Sequence, residues 1–255
     1  MSSDTSRTGD DPSASSETPS AGRRIALILC LAVLGLAAYA ASLVATFPAR
    51  TAARQVELPE QIVDVSGTLW NGQAILAGGY EMQWKVAPLR SLLHLALDVE
   101  WTLRGADTSL SGQAALRPDV VTLADVEGRA GWGLVRAAAP DLTVNCDGTA
   151  EVALSRVVVS EAIQGAVGEV KSSSAVCSDS ARTPPEPIAV PALTAVSSID
   201  GEASRVLLTA SDDPAAPMAE FSVANRVLTA TIHPKGAELT KVLPTSGPTT
   251  LEFPF

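Results

Sequence analysis

The chain has 255 residues, a formal net charge of −10 and 46% hydrophobic residues, of which few are aromatic. The acidic balance persists in residues 48–255, which carry 15 Lys and Arg against 24 Asp and Glu. It argues against nucleic acid and anionic lipid surfaces as partners, because both need clustered cations. The core must be built mainly of Val, Leu and Ala.

The first 47 residues fall into two segments of opposite character. Residues 1–24 are rich in Ser, Thr, Asp and Pro, and such a segment buries too little apolar surface to offset its ordering entropy. Residues 25–47 carry no charge and suit a helix crossing a bilayer core of ~30 Å. We predict a disordered tail, then one uncleaved transmembrane helix, then a connector over 48–61. The alternative is a cleavable signal peptide, because Ala38-Tyr39-Ala40 resembles a cleavage site.

The cysteines bear on the orientation of this segment. Two arginines lie near each of its ends, so the positive-inside rule gives almost a tie. Cys146 and Cys177 are the only cysteines beyond residue 47, and an even pair suggests a disulfide formed in an oxidising compartment. This interpretation places the tail in the cytoplasm and residues 62–255 in the periplasm. The alternative is two unrelated buried thiols.

Alternation of apolar and polar residues is the main structural signal. It runs through Tyr80–Val86 and through residues 93–104, where Leu, Val and Trp occupy every second position. Strict period two predicts strands with one apolar and one wet face. Asn71-Gly72 and Asn225-Arg226 are typical of tight hairpin turns. Further strands of 6–12 residues follow without intervening long helices, and a short helix is predicted over 130–140. Residues 164–176 are predicted to form one return strand, with a helix as the alternative around 161–166, and residues 203–210 a further strand. The sequence therefore predicts an all-β domain over 62–255, either a curved antiparallel sheet or a half-open β-sandwich or barrel-like domain.

The search for reactive groups yields little. His94 and His233 are the only histidines, and both are interpreted as solvated strand residues. Nucleophile, phosphate-loop and zinc motifs do not occur. We therefore predict no enzyme activity, no catalytic residue, no metal site and no cofactor. The tryptophans at positions 70, 84 and 101 suggest either a binding groove or a core, and the core is favoured.

One stretch can be recognised. Residues 65–74 read Val-Ser-Gly-Thr-Leu-Trp-Asn-Gly-Gln-Ala, which resembles the Gly-Thr-x-Trp-x-Gly-x-Ala signature of the type II secretion system protein N family. The Trp-Lys-Val-Ala-Pro-Leu element at 84–89, followed by a leucine-rich strand, is similar to the family's next motif. The residues that carry the resemblance, all interpreted as structural, are Gly67, Thr68, Trp70, Gly72, Trp84 and Pro88.

The resemblance implies an accessory or structural component of the type II secretion machinery. It implies one inner-membrane anchor, a periplasmic β domain, and contacts with other inner-membrane platform or secretin subunits. The β domain is also similar in style to AsmA-like proteins, so a lipid-binding or lipid-bridging role is the alternative. Because an unclosed sheet leaves strand edges unpaired, edge docking is predicted as the mode of partner binding.

Overall fold

A computed structural model of the chain describes residues 21–54, 61–88, 90–91, 96–181, 187–240 and 244–254. The chain divides into two units, residues 1–46 and residues 47–255. The first 20 residues of the predicted disordered tail lie outside the described residues. In the first unit a helix, α1, spans Ala21–Ala45, so it begins four residues before the predicted segment. Among the described residues, no helix meets the length and apolarity needed to cross a membrane.

The second unit consists almost entirely of strands, as the alternation predicts. Its elements in chain order are α2 (Ala49–Ala53), β1 (Ile62–Gly67), β2 (Asn71–Leu76), a 3-10 turn (Ala77–Gly79), β3 (Tyr80–Val86), β4 (Leu97–Arg104), β5 (Ser109–Leu116), β6 (Val120–Gly131), α3 (Trp132–Ala138), β7 (Val144–Cys146), β8 (Thr149–Ser160), β9 (Gln164–Ser172), β10 (Ala175–Asp179), β11 (Pro187–Val190), β12 (Leu193–Asp200), β13 (Ala203–Ala210), β14 (Asp213–Ala224), β15 (Val227–Ile232), α4 (Pro234–Thr240) and β16 (Thr249–Pro254).

Thirteen strands form one antiparallel sheet. Their order is β1-β2-β3-β4-β5-β6-β8-β9-β12-β13-β14-β15-β16, so almost every strand pairs with its neighbours in the chain. Within the described part of the chain, β1 and β16 do not pair with each other. The sheet is therefore open, with β1 at one edge and β16 at the other, which confirms the prediction of an antiparallel sheet not closed into a barrel.

A three-stranded sheet, β11-β10-β7, extends three central strands of the main sheet. Each of its strands is separated from a main-sheet strand by two residues: β7 from β8 by Asp147-Gly148, β10 from β9 by Ser173-Ser174, and β11 from β12 by Pro191-Ala192. The interruptions lie side by side. The single strand predicted over residues 164–176 is therefore wrong; it is β9 and β10, separated by Ser173-Ser174.

The register separates the main sheet into an apolar and a polar face. Trp84 lies opposite Trp101, and Val86 lies opposite Val99, on what we call the apolar face. Lys85 lies opposite Glu100 on the other, polar face. Because directly paired residues share a face, the ladder carries this separation from β1 to β16. Among the described residues, no large side chain is completely buried.

The Asn225-Arg226 turn is as predicted. It joins β14 to β15, with Ala224 paired to Val227, and both turn residues have positive φ, 52° and 61°. Two consecutive left-handed residues define the turn that matches the twist of antiparallel strands. The helix alternative around 161–166 is wrong, because β9 begins at Gln164.

Candidate functional site

The Gly-Thr-Leu-Trp-Asn-Gly stretch forms the turn between β1 and β2, which we call the signature turn (residues 67–72). Gly67 pairs with Gly72, and the Thr68 N–H donates to the Asn71 carbonyl oxygen at 2.9 Å. The Asn71 N–H donates to Thr68 Oγ1 at 3.1 Å. Gly67 has a φ of +88°, where a Cβ would be strained. The predicted two-residue turn at Asn71-Gly72 is therefore wrong: both residues belong to β2, and the residues between β1 and β2 are 68–70.

Trp84 packs onto the signature turn from β3. Its indole Nε1 donates to the Leu69 carbonyl oxygen at 3.1 Å. A Cβ added to Gly72 would overlap the Trp84 ring and would lie 2.7 Å from the Ser66 carbonyl oxygen. Gly72 is therefore the residue that lets the indole lie flat on the neighbouring strand.

The same arrangement recurs two strands further along the sheet. Trp101 lies opposite Gly112 of β5, and a Cβ there would meet the Trp101 ring at 3.0 Å. The Trp101 Nε1 atom is buried and has no hydrogen-bond partner among the residues that the structure describes. Paired tryptophans that each cover a glycine of the adjacent strand favour the core interpretation over a binding groove.

The signature turn also binds the residues with which the second unit begins. The Leu69 N–H donates to the Phe47 carbonyl oxygen at 3.2 Å, and Pro48 forms an isolated bridge with Thr68. The Val86 N–H donates to the Trp70 carbonyl oxygen at 2.7 Å. The turn therefore joins the first residues of the unit to β1, β2 and the end of β3.

Pro88 opens the connection from β3 to β4. It is exposed and lies in a single helical turn, in which the Ser91 N–H donates to the Ala87 carbonyl oxygen at 2.9 Å. Proline is favoured in the first turn of a helix because it has no N–H to satisfy there. The leucine-rich residues 92–95, with His94, lie outside the described residues.

The same end of the sheet presents exposed apolar side chains on the apolar face. Leu97 pairs with Leu116, Leu116 with Val121, and Val121 with Val159. Leu97, Leu116 and Val159 are 40%, 37% and 50% exposed. We call these four residues the apolar end ladder. A contiguous apolar patch of this kind is typical of an interaction surface, and it is the strongest candidate site on this unit.

A polar cluster at the opposite end of the sheet was missed from the sequence. Asp107, in the loop between β4 and β5, accepts hydrogen bonds from Tyr80 Oη at 3.1 Å and from Thr108 Oγ1 at 2.9 Å. It also accepts from the Gly133 N–H of α3 at 3.2 Å. A Cβ on Gly131 or Gly133 would collide with this carboxylate or with Tyr80. In the sequence, the Gly-Trp-Gly stretch at 131–133 is the one signal that indicates a close approach of other side chains to the backbone here.

The cluster favours a charged carboxylate. Burial alone would raise the pKa of Asp107, but hydrogen bonds from Thr108, Tyr80 and the Gly133 N–H together hold this pKa below its usual value. Burial, and then the neighbouring carboxylate, raise the pKa of Tyr80. The arrangement is a structural clamp that fixes α3 to the sheet, because every donor stabilises the ionised form.

We predict that Asp107→Ala lowers the free energy of unfolding by about 1–3 kcal/mol, because it leaves the Tyr80 hydroxyl and the Gly133 N–H without their acceptor. The lowered carboxylate pKa contributes stability that is present above about pH 4 and is lost as the pH falls through the folded-state value. The unfolding midpoint in urea, followed by tryptophan fluorescence between pH 7 and pH 3, measures both effects. Glu202→Ala, in an exposed turn, is the control. Equal midpoints for Asp107→Ala and wild type would refute the clamp.

Reactive groups remain scarce in the structure. Within the described ranges, no three His, Cys, Asp or Glu residues come together as a metal site would require. His233 differs from the sequence interpretation: it follows β15, and its Nε2 is buried, with no hydrogen-bond partner in the described part of the chain, so it is not a solvated strand residue. Asp98 and Glu100 lie on the polar face of β4.

Cys146 and Cys177 lie directly opposite each other in β7 and β10. They form a disulfide in the structure, with Cα atoms 4.1 Å apart and 31 residues apart in sequence. The Asp147 N–H donates to the Val176 carbonyl oxygen at 3.3 Å, and the Val176 N–H donates to Asp147 Oδ1 at 2.7 Å. The disulfide therefore crosses the base of the β8–β9 hairpin, just beyond the interruptions at 147–148 and 173–174. Cys30 of α1 is free.

Comparison with known proteins gives one match. A family model described as "Type II secretion system (T2SS), protein N" matches residues 60–218. The matched span runs from just before β1 into β14, and it includes the signature turn, Trp84, Pro88 and both disulfide cysteines. Neither the curated proteins nor the solved structures yield a significant match.

Proposed function

Because the chain belongs to the type II secretion system protein N family, we propose that it is an accessory structural component of the type II secretion machinery. It acts through protein–protein contacts of its β domain with other inner-membrane platform or secretin subunits. The observation that carries this proposal is the apolar end ladder, which lies at the same end of the sheet as the signature turn. Leu69, at the tip of that turn, is also an exposed apolar residue, at 40%.

The proposal includes a location. Residues 25–47 anchor the chain in the inner membrane, residues 1–24 lie in the cytoplasm, and the β domain lies in the periplasm. The uncharged sequence of residues 25–47 supports the anchor, and the Cys146–Cys177 pairing supports an oxidising compartment. Extraction of membranes with alkaline carbonate, and digestion of the β domain by protease added to spheroplasts, test the two parts separately.

Secretion is the direct test of function. We expect deletion of the gene to reduce release of type II substrates, and Val159→Lys in the full chain to reduce it as well, because a charge within the apolar end ladder opposes burial against a partner. Val196→Lys is the matched control: Val196 is equally exposed, at 49%, but lies on the polar face. Crosslinking in the same strains should recover a platform or secretin subunit with wild type and with Val196→Lys, and not with Val159→Lys. Normal secretion after deletion, with no such subunit recovered, would refute the proposal.

A lipid-handling role is the second candidate, and the half-exposed apolar face favours it. An open sheet with one continuous apolar face can cover acyl chains as well as a protein surface. Native mass spectrometry of the full chain released from detergent shows whether lipid stays bound to the protein. Lipid that stays bound to wild type and is lost in Val159→Lys would support this function. A wild-type mass without bound lipid would refute it and leave the structural role as the one candidate.

A further inference from the structure

The two edges of the main sheet are built differently, and the β1 edge is protected. Arg50 of α2 donates from Nε to the Val65 carbonyl oxygen at 3.4 Å and from Nη2 to Asp64 Oδ1 at 2.6 Å. This contact lowers the pKa of Asp64. The β1–β2 register also shifts between Ile62 and Asp64. Charged cover and an irregular ladder are the devices by which proteins prevent another strand from adding to an edge.

The β16 edge has neither device. Its six residues pair with β15 in unbroken register, from Thr249 opposite Ile232 to Pro254 opposite Val227. Within the described part of the chain, β15 is its only partner strand, and residues 250–254 are all exposed. The strand contains no Lys or Arg. The outer side of residues 249–253 is therefore free to pair with a further strand, up to Pro254, which has no N–H to donate.

The side chains of β16 define what such a strand must offer. Leu251 and Phe253 lie on the apolar face, opposite Ala230 and Leu228, and are 41% and 50% exposed. Glu252 lies on the polar face. Directly opposed side chains on adjacent antiparallel strands favour apolar–apolar and opposite-charge pairs. A complementary strand therefore carries apolar residues at alternate positions and a cation between them.

We propose that β16 is a docking edge that takes an extended segment of another protein as a fourteenth strand. Apolar side chains of that segment face Leu251 and Phe253, and a Lys or Arg lies opposite Glu252. A second copy of this chain fits less well, because each copy carries a net charge of −10 and two such copies repel. β16 lies outside the family-matched residues 60–218, so this inference adds to the proposed function and does not depend on it.

Binding of a designed peptide to the purified full chain in detergent tests the inference without reference to secretion. The probe is a fluorescein-labelled peptide, Thr-Val-Lys-Val-Thr-Val, compared with the same peptide carrying Glu in place of Lys. Fluorescence anisotropy gives both affinities. We expect wild type to bind the Lys peptide more tightly, and Leu251→Lys to weaken this binding about tenfold, because it removes an apolar pair and adds a charge to the edge. Leu207→Lys is the matched control, since Leu207 is exposed on the polar face of an interior strand.

The charge at position 252 tests independently whether the Lys of the peptide lies opposite Glu252. Glu252→Lys leaves the apolar residues in place and should reverse the peptide preference: the affinity for the Lys peptide should fall, and that for the Glu peptide should rise, each about two- to fivefold. Circular dichroism of each variant checks that the sheet is intact. Failure of wild type to bind either peptide, or unchanged peptide preference in a folded Glu252→Lys variant, would overturn the inference. A dimer of wild type that Leu251→Lys converts to a monomer, measured by light scattering, would also overturn it by assigning the edge to a second copy.

Discussion

Replacing Gly72 by Val is expected to lower the free energy of unfolding by about 3 kcal/mol, the upper part of the usual range for overpacking. The added side chain would overlap the Trp84 indole and crowd the Ser66 carbonyl oxygen. Trp84 cannot move away freely, because its Nε1 is hydrogen-bonded to the Leu69 carbonyl oxygen. The substitution therefore strains the signature turn and β3 together. Urea unfolding of the full chain in detergent, followed by tryptophan fluorescence, measures the loss.

Two further variants show whether the Trp84 contact is the cause. Gly247→Val is the control for adding a valine at a glycine, because nothing lies within 4 Å of the Cβ position at Gly247. In a Trp84→Ala background, the loss of unfolding free energy caused by Gly72→Val should be smaller by about 1 kcal/mol, since substitutions at contacting residues are not additive. If the two changes are additive, the indole does not set the requirement for glycine at position 72. If Gly72→Val unfolds with the wild-type midpoint, the packing described here is wrong.

The strand pattern was readable from the sequence because each strand has one apolar and one polar face. β13 runs over Ala203–Ala210, as its alternation predicts, and β4 ends at Arg104 as predicted. The Asn225-Arg226 turn was also readable from Asn225, because asparagine adopts positive φ more readily than most residues do, and both turn residues have positive φ. These features depend on neighbours in the sequence, and local patterns report them directly.

The features that the sequence did not reveal depend on contacts between distant residues. Asn71-Gly72 has the composition of a tight turn, but the pairing of Gly67 with Gly72 places both residues within β2. The interruption that separates β9 from β10 occurs where three adjacent strands are interrupted side by side, which no single strand shows. The Asp107 cluster joins residues 27 and 26 positions apart in sequence. Each of these is set by the register of the sheet.

The same distinction between local patterns and contacts of distant residues applies to the candidate site. The signature residues were identified as structural, and the geometry gives Gly67, Thr68, Gly72 and Trp84 packing and hydrogen-bonding roles in the turn between β1 and β2. The apolar end ladder was not identified, because Leu97, Leu116 and Val159 look like ordinary apolar-face residues in the sequence. Only their position at the end of the sheet leaves them exposed. The family resemblance therefore located the region, and the register located the surface.

Replacing Cys146 and Cys177 together by Ser is expected to destabilise the oxidised protein by about 3–4 kcal/mol, the value that the chain-entropy model gives for a loop of this length. The disulfide closes a loop of 31 residues that contains the whole β8–β9 hairpin. That hairpin lies at the centre of the strand order, between β6 and β12. Without the crosslink, the unfolded chain regains the freedom of this loop, and the central strands separate more readily.

The expected measurement is a lower urea midpoint for the double variant, and an equal fall when wild type is reduced. Reductant should not change the urea midpoint of the double variant, and Cys30→Ser should unfold as wild type does, because Cys30 lies in the first unit.

Alkylation of thiols in living cells adds a test of location. Cys146 and Cys177 should resist alkylation in the folded protein until reductant is added, because disulfides persist in oxidising compartments. Ready alkylation of both thiols in a folded protein would contradict the disulfide and remove the main support for a periplasmic β domain.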